Sequence, residues 1–301
     1  MKLSETASRL LAQFSSLLFR PVYLLNHYLF YFNRLAFASS RGAVNAATRV
    51  VDPADTLSWE FSAFSQNGED GIIDHLETLI RAPNRYFLEI GASDGLENNT
   101  SFLALVKKYN GIMVEGNSSK SRYAKRLLQS QCLGVEFRDT YVTTRTAPAL
   151  VSSSRHSDPD FFSLDIDGID YYVARSLFES GLRPKIACVE YNSAFGPDMA
   201  VTIPDQPVFE SAKAHPTRLY YGVSLAGWQT FFKEQGYDFV TVDFNGVNAF
   251  FVSPEAVDTS TLSGIKRLDW RENCSQWARF HCGWAEQFDL ISDMPLETIG
   301  T

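Results

Sequence analysis

The stretch YFLEIGASDG, residues 86–95, opens as an apolar run and closes in small, turn-forming residues. A short apolar run ended by glycine reads as a buried strand feeding a helix. The pattern repeats on both sides. Upstream, Asp70–Arg81 sets Ile72, Ile73, Leu76, Leu79 and Ile80 on one face of a helix. Downstream come a helix over Ser101–Tyr109, a strand at Gly111–Glu115 and a helix over Ser119–Gln131. A third strand begins at Leu133–Phe137 and a fourth is Phe161–Ile166, followed by a helix over Tyr171–Ser180. A fifth strand is Lys185–Tyr191, and a helix spans Ser224–Gly236. Such alternation is the mark of a parallel sheet with crossover helices. Two further runs, FVTVDF and VNAFFV, are split only by Asn245-Gly246, a hairpin signal. The expected fold is therefore α/β and doubly wound, with seven strands and an antiparallel terminal hairpin.

Ligands of such sheets sit outside the carboxyl ends of the strands. The first strand ends in Glu89-Ile-Gly91-Ala-Ser93-Asp94-Gly95. Its glycines allow a tight turn and close backbone approach to a ligand. They are four apart, unlike the G-x-G-x-x-G of dinucleotide sites, and an acid stands two residues before the first. A carboxylate at Glu89 repels a pyrophosphate and suits an ammonium. Glu115, twenty residues past Gly95, closes the second strand and is placed to accept from two ribose hydroxyls. An acid for an amino group, glycines without a phosphate and an acid for a ribose describe S-adenosylmethionine better than NAD. The plainer alternative is a structural turn with Glu89 capping a helix.

SQNGEDGII (65–73), FLEIGASDGLENNT (87–100), GIMVEGN (111–117), FFSLDIDGIDYYV (161–173), ACVEYNSAFGP (187–197), YGVSLAGW (221–228) and GVNAFFV (246–252) follow one another in an order that resembles the FkbM-type branch of class I S-adenosylmethionine-dependent methyltransferases. The resemblance covers roughly residues 60–255. It implies a Rossmann-like methyltransferase sheet and, typically, O-methylation in polysaccharide or secondary-metabolite pathways. It also implies Glu89, Gly91 and Gly95 as the methionine-side loop and Glu115 at the ribose, and Ser93, Asp94 and Asn117 are expected as further cofactor contacts. Asp139 is implied near the adenine, and Asp165 beside the cofactor. The chain has Thr144-Arg145 where this subgroup often has a Glu-Asn pair.

Two more strand ends are acidic: Asp165-Ile-Asp167-Gly168-Ile-Asp170 after the fourth, Glu190-Tyr-Asn192 after the fifth. Oxygen ligands converging there suit Mg²⁺ or another hard divalent cation, with Asp165, Glu190 and Asn192 as the expected ligands. A cation lowers the pKa of an acceptor hydroxyl, and a base can remove its proton. The base candidates are Asp167 and His215. The alternative is that Asp165 only lines the cofactor while Asp167, Gly168 and Asp170 shape a turn. Asp165-Ile-Asp167 also spells the D-x-D by which many glycosyltransferases hold a metal and a sugar nucleotide, the competing enzymatic reading. A non-catalytic cofactor-fold module that recruits partners to a membrane is a third. Ser65, Gln66, Glu69 and Asp70 read as a near-capping pattern or as a lid or acceptor contact.

The chain has 301 residues, 45% hydrophobic and 21% charged, which excludes a disordered or collagen-like protein. Its net charge is −8, yet residues 1–50 hold Lys2, Arg9, Arg20, Arg34, Arg41 and Arg49 against Glu5 alone. The acidic remainder argues against a nucleic-acid partner. Residues 1–58 read as a basic, apolar helical extension and linker, 59–255 as the methyltransferase domain and 256–301 as a helical tail packed on it. Val22–Phe37 is nearly all apolar, but Asn26 and His27 interrupt it and it falls short of the ~20 residues of a span. Arg20, His27, Arg34 and Arg41 recur every seven residues, one polar line on an aromatic rod. Two expectations follow for residues 10–41: peripheral contact with an anionic membrane, or packing on the body or on a second copy in a homo-oligomer. The expected acceptor is a small molecule or a glycolipid, and the expected place the cytoplasm, at the inner face of the membrane if the head binds lipid. Cys132, Cys188, Cys274 and Cys282 read as free thiols. A zinc site at Cys274, His281 and Cys282, on a helix expected over Trp270–Phe288, lacks a fourth ligand.

Overall fold

In the computed structural model, which describes residues 47–300 with Ala36, Ser40 and residues 42–44, the alternating pattern closes into one mixed sheet. The strands in chain order are β1 Tyr86–Ile90, β2 Asn110–Glu115, β3 Val135–Asp139, β4 Phe161–Leu164, β5 Ile186–Glu190, β6 Val201–Thr202, β7 Asp238–Val242, β8 Asn248–Val252 and β9 Glu297–Thr298. Seven make the main sheet, in the order β3-β2-β1-β4-β5-β8-β7. Strands β1 to β5 pair in parallel, and β8 runs antiparallel to both β5 and β7. This is the expected doubly wound sheet with its antiparallel hairpin. Period-two alternation sends Leu88, Ile90, Phe162 and Leu164 into one core. Phe87, Met113, Phe161 and Cys188 go to the core on the opposite face.

The helices are α1 Thr56–Trp59, α2 Glu69–Glu77, α3 Ser101–Leu105, α4 Ser118–Leu128, α5 Ala147–Ser153, α6 Asp170–Glu179, α7 Ser211–Ala214, α8 Leu225–Glu234, α9 Cys274–Phe280 and α10 Trp284–Asp289. Several depart from the sequence pattern for local reasons. Helix α2 stops at Glu77, short of Arg81, because Ile80 forms a bridge with Val257. Helix α3 stops well before Tyr109: Lys108 adopts a left-handed φ of 60°, and the Tyr109 hydroxyl donates to Glu77. The single helix expected over Trp270–Phe288 is two, broken at left-handed His281. The hairpin loop is longer than Asn245-Gly246. Asp243 leaves the strand, and its carboxylate accepts from the backbone N–H groups of Asn245, Val247 and Asn248.

Residues 47–58, linker-like in composition, pack on the body. Arg49 bonds Asp74 at 2.9 Å and lies 4.7 Å over the Phe61 ring. Trp59 is fully buried, stacked on His75 with centroids 4.0 Å apart. The tail is anchored as well. Strands β6 and β9 form a two-stranded ribbon, Ile299 N–H donates to Ala200 O, and the Tyr172 hydroxyl donates to Glu297. The expected amphipathic rod, residues 10–41, lies almost wholly outside the described residues. Among the described residues no helix is long and apolar enough to cross a membrane.

Where β1 ends, the backbone has no room for a side chain. Gly91 takes a φ of +95°, and a Cβ there would overlap the Asp165 carbonyl oxygen at the end of β4. Gly91→Ala should cost more than about 4 kcal/mol or leave no folded protein. Gly181 has the same kind of φ, +98°, with nothing within 4 Å of its Cβ position. Gly181→Ala should therefore cost only the left-handed penalty, about 1–2 kcal/mol. Urea unfolding of both variants checks this; equal losses would mean that space at Gly91 is not the constraint.

Candidate active site

A cleft of about 910 Å³ opens at the carboxyl ends of β1, β2 and β4, the switch point of the sheet. Its floor is the turn after β1. Gly91 and Ala92 both donate to Val114 O, and Ser93 adopts a left-handed φ of 50°. Asp94 accepts from Leu96 N–H inside the turn, and Gly95, at φ +74°, has Leu128 and Ala124 of α4 against its Cβ position. The Asn98-Asn99-Thr100 run that follows is a set of staples. Asn98 ties Ala92 O to Ser101 N–H. Asn99 N–H and the Thr100 hydroxyl both donate to Glu89. Glu89 thus lines the cleft with both oxygens already engaged by its own loop. Burial pushes its pKa up to about 7, against the lowering effect of the Thr100 and Asn99 bonds.

Glu115, at the tip of β2, is held differently. One oxygen accepts from Ser93 N–H at 2.8 Å, the other from Asn117 N–H at 2.6 Å. A carboxylate oxygen has two lone pairs, so each retains one for a ligand. Asn117 lines the cleft, but its side-chain oxygen caps α4 through Ser119 and Lys120 N–H. Asp139 does not reach the cleft: it is exposed and accepts from the Ser118 hydroxyl, leaving Thr140, Tyr141 and Val142 as the lining there. The Tyr141 hydroxyl donates to Phe209 O at 2.7 Å and accepts from Phe209 N–H, which clamps residues 209–212 over the cleft.

On the other side stand the acids of β4 and β5. Asp165, Asp167 and Glu190 offer ligand oxygens that all lie within 4.8 Å of one another. Asp170 shapes the loop that presents them, accepting from Ile166 and Gly168 N–H, while Asp167 takes a left-handed φ of 52°. Burial, then the charges of Asp167 and Asp170, push Asp165 up to about 8. Burial and the Asp165 charge raise Glu190 well above the carboxylate range. The two carboxyl groups are hydrogen-bonded to each other, and the Tyr221 hydroxyl donates to Glu190 at 3.2 Å.

Two expected members are not there. Asn192 is fully buried and spends its amide on the chain: Oδ1 accepts from Ala194 N–H and Nδ2 donates to Leu219 O and Tyr221 O. It holds the 192–221 loop and is not free to ligate a cation. His215 caps the end of α7 outside the cleft lining, its Nδ1 2.8 Å from Thr217 Oγ1. Conversely, Glu69 and Asn248 line the cleft together, joined by a 2.8 Å bond from Asn248 Nδ2. Spacing alone gave no signal for that pair, because 179 residues separate them.

No family model matches the chain, and no curated protein does. Among solved structures it is similar to an O-methyltransferase from Bacillus cereus in complex with SAH, at 15% identity and a TM-score of 0.41, over 73% of this chain and 89% of that one. It is similar to the N-terminal domain of EvdMO1, in the presence of SAH and D-fucose, at 12% identity and 0.40, over 62% and 82%. A SAM-dependent methyltransferase from Thiobacillus denitrificans in complex with S-adenosyl-L-homocysteine gives 15% and 0.35, over 65% and 69%. Likenesses this weak carry no activity across, which has to be read from the chain's own residues.

The acids set the pH response. Asp165 and Asp243 are raised to about 8 and Glu60 and Glu89 to about 7, burial being the largest cause in each. Each binds its proton more tightly folded than unfolded. Between about pH 4 and pH 8 the folded chain therefore holds more protons, and stability falls as pH rises. The melting temperature should drop by about 5–10 °C from pH 5 to pH 8. Glu190→Gln should make that slope shallower. Calorimetric scans across the window check it; a flat or rising profile contradicts the burial of these acids.

Proposed function

We propose that this chain is an S-adenosylmethionine-dependent methyltransferase acting on a hydroxyl of a saccharide or glycolipid. The observation that carries the reading is Glu115, whose two oxygens are fixed by Ser93 and Asn117 N–H beside a glycine turn that offers no phosphate cradle. A carboxylate so fixed presents its remaining lone pairs to adjacent ribose hydroxyls. The turn from Gly91 to Gly95 would take the methionine side, and Thr140, Tyr141 and Val142 the adenine. The acid-rich lining, with Glu89, Glu115, Asp165 and Asp167, favours a cationic cofactor over a sugar nucleotide and so disfavours the glycosyltransferase alternative.

Bound there, the cofactor supplies an electrophilic methyl group. This chain's residues then have to bring up a hydroxyl and take its proton. Asp167, exposed in the cleft, is the base we favour, since burial and mutual charge hold Asp165 and Glu190 toward their protonated forms. Burial raises Asp167 above the ordinary carboxylate value, and Lys120, also in the lining, offsets part of that rise. The oxygens of Asp165, Asp167 and Glu190 equally suit a hard divalent cation, with water completing the set. A lipid-borne acceptor would fit the basic, apolar residues 10–41 as a peripheral membrane contact on the cytoplasmic face.

Glu115→Ala should weaken S-adenosylmethionine by about 2–4 kcal/mol in calorimetry, through lost charge-assisted hydrogen bonds. Wild-type affinity in that variant would remove the assignment, and sugar-nucleotide binding in place of S-adenosylmethionine would move it to glycosyl transfer. EDTA separates the two chemistries at the acids. Turnover that survives EDTA leaves Asp167 alone as the base, whereas loss restored by Mg²⁺ places a cation on the three carboxylates.

A further inference from the structure

Glu69 opens helix α2 and is 0% exposed, yet its hydrogen-bond partners are all neutral. Oε2 accepts from Asn67 N–H, and Oε1 accepts from Asn67 Nδ2 and Asn248 Nδ2. Buried carboxylates ordinarily find a cation or lose their charge. This one stands in the wall of the cleft with its oxygens met only by Asn67 and Asn248.

Asn248 carries the second observation. It is 4% exposed, lines the same cleft, and its Oδ1 is a buried oxygen without a hydrogen-bond partner. The orientation of that amide is not ambiguous. Glu69 is an acceptor, so the group facing it has to be the NH₂, and the oxygen is left free. An unmet buried acceptor is costly unless a ligand supplies a donor. Strand register sets Asn248 directly opposite Glu190, so the free oxygen belongs to the same edge as the acid cluster.

A free acceptor beside a carboxyl group with only neutral partners suits a group that is both a donor and a cation. We propose that Glu69 and Asn248 form an ammonium subsite of the cleft, receiving a primary ammonium either from the amino-acid end of the cofactor or from an amine on the acceptor. The first source rests on the cofactor reading above; the second does not.

The test is calorimetry on the full chain with two matched pairs of probes. S-adenosylhomocysteine and its deamino analogue differ in the α-amino group; D-glucosamine and D-glucose differ in the amine at C2. If the cofactor fills the subsite, wild type should prefer S-adenosylhomocysteine by about tenfold or more, and Asn248→Ala should bring that ratio close to one. If the acceptor fills it, the glucosamine preference should be the one that Asn248→Ala removes. Glu69→Gln keeps the size and the acceptor oxygen and removes the charge, so it should lower the same ratio even where Asn248→Ala does not fold. Both ratios unchanged in a folded variant overturn the subsite. Failure of wild type to bind S-adenosylhomocysteine overturns the cofactor assignment instead, and the glucosamine ratio, measured without it, then decides the subsite alone.

Discussion

The close approach of two strand ends governs this molecule. Asp165 N–H donates to Ile90 O, Gly91 N–H donates to Val114 O, and the missing side chain at Gly91 is what lets the backbone of Asp165 lie against it. Three strands are thereby gathered at one point. Glu115 and Asp165, which leave from two of them, line a single cleft because of it. Any residue with a Cβ at position 91 would part β1 from β4, and the two halves of the site with them.

Around that point the chain uses carboxylates as clamps for backbone N–H groups. Asp70 gathers Ala63, Phe64 and Ser65; Asp170 gathers Ile166 and Gly168; Asp243 gathers Asn245, Val247 and Asn248. At the opposite, amino end of these strands, Asp160 does the same with Asn84 and Arg85 and adds Lys185, a buried ion pair at 2.7 Å. Neutral donors fix an acid in place without cancelling its charge. The outcome is a rim that is geometrically rigid and rich in carboxyl groups, which favours neutral or cationic ligands entering between the strands.

The parts of this arrangement visible in sequence are those written in consecutive residues. The strand 86–90, the glycines at 91 and 95 and the acid at 115 occupy one strand–turn–helix–strand unit, where spacing fixes position. Helix ends were less legible, because tertiary events such as the Ile80–Val257 bridge set them. Asn192 follows an acidic strand end as a ligand would, and only the loop carbonyls of Leu219 and Tyr221 show that its amide is committed elsewhere. His215 has the chemistry of a base, but the turn after α7 gives its ring to Thr217. Glu69 and Asn248 each read blandly alone, since neither carries a signal until the sheet brings β8 beside the start of α2.

The ribbon of β6 and β9 ties a loop next to the cleft to residues far downstream. Thr202 pairs with Glu297, also bridges Val223, and so stands between the tail and the segment that Asn192 holds. On a ribosome, residues 59–255 can emerge and form their sheet while 297–299 are still in the exit tunnel. The loop from 192 to 223 would then be exposed with one of its borders missing. Synthesis thus sets an order: β1 and β2, on the cofactor side, are made well before the residues that close the wall facing it.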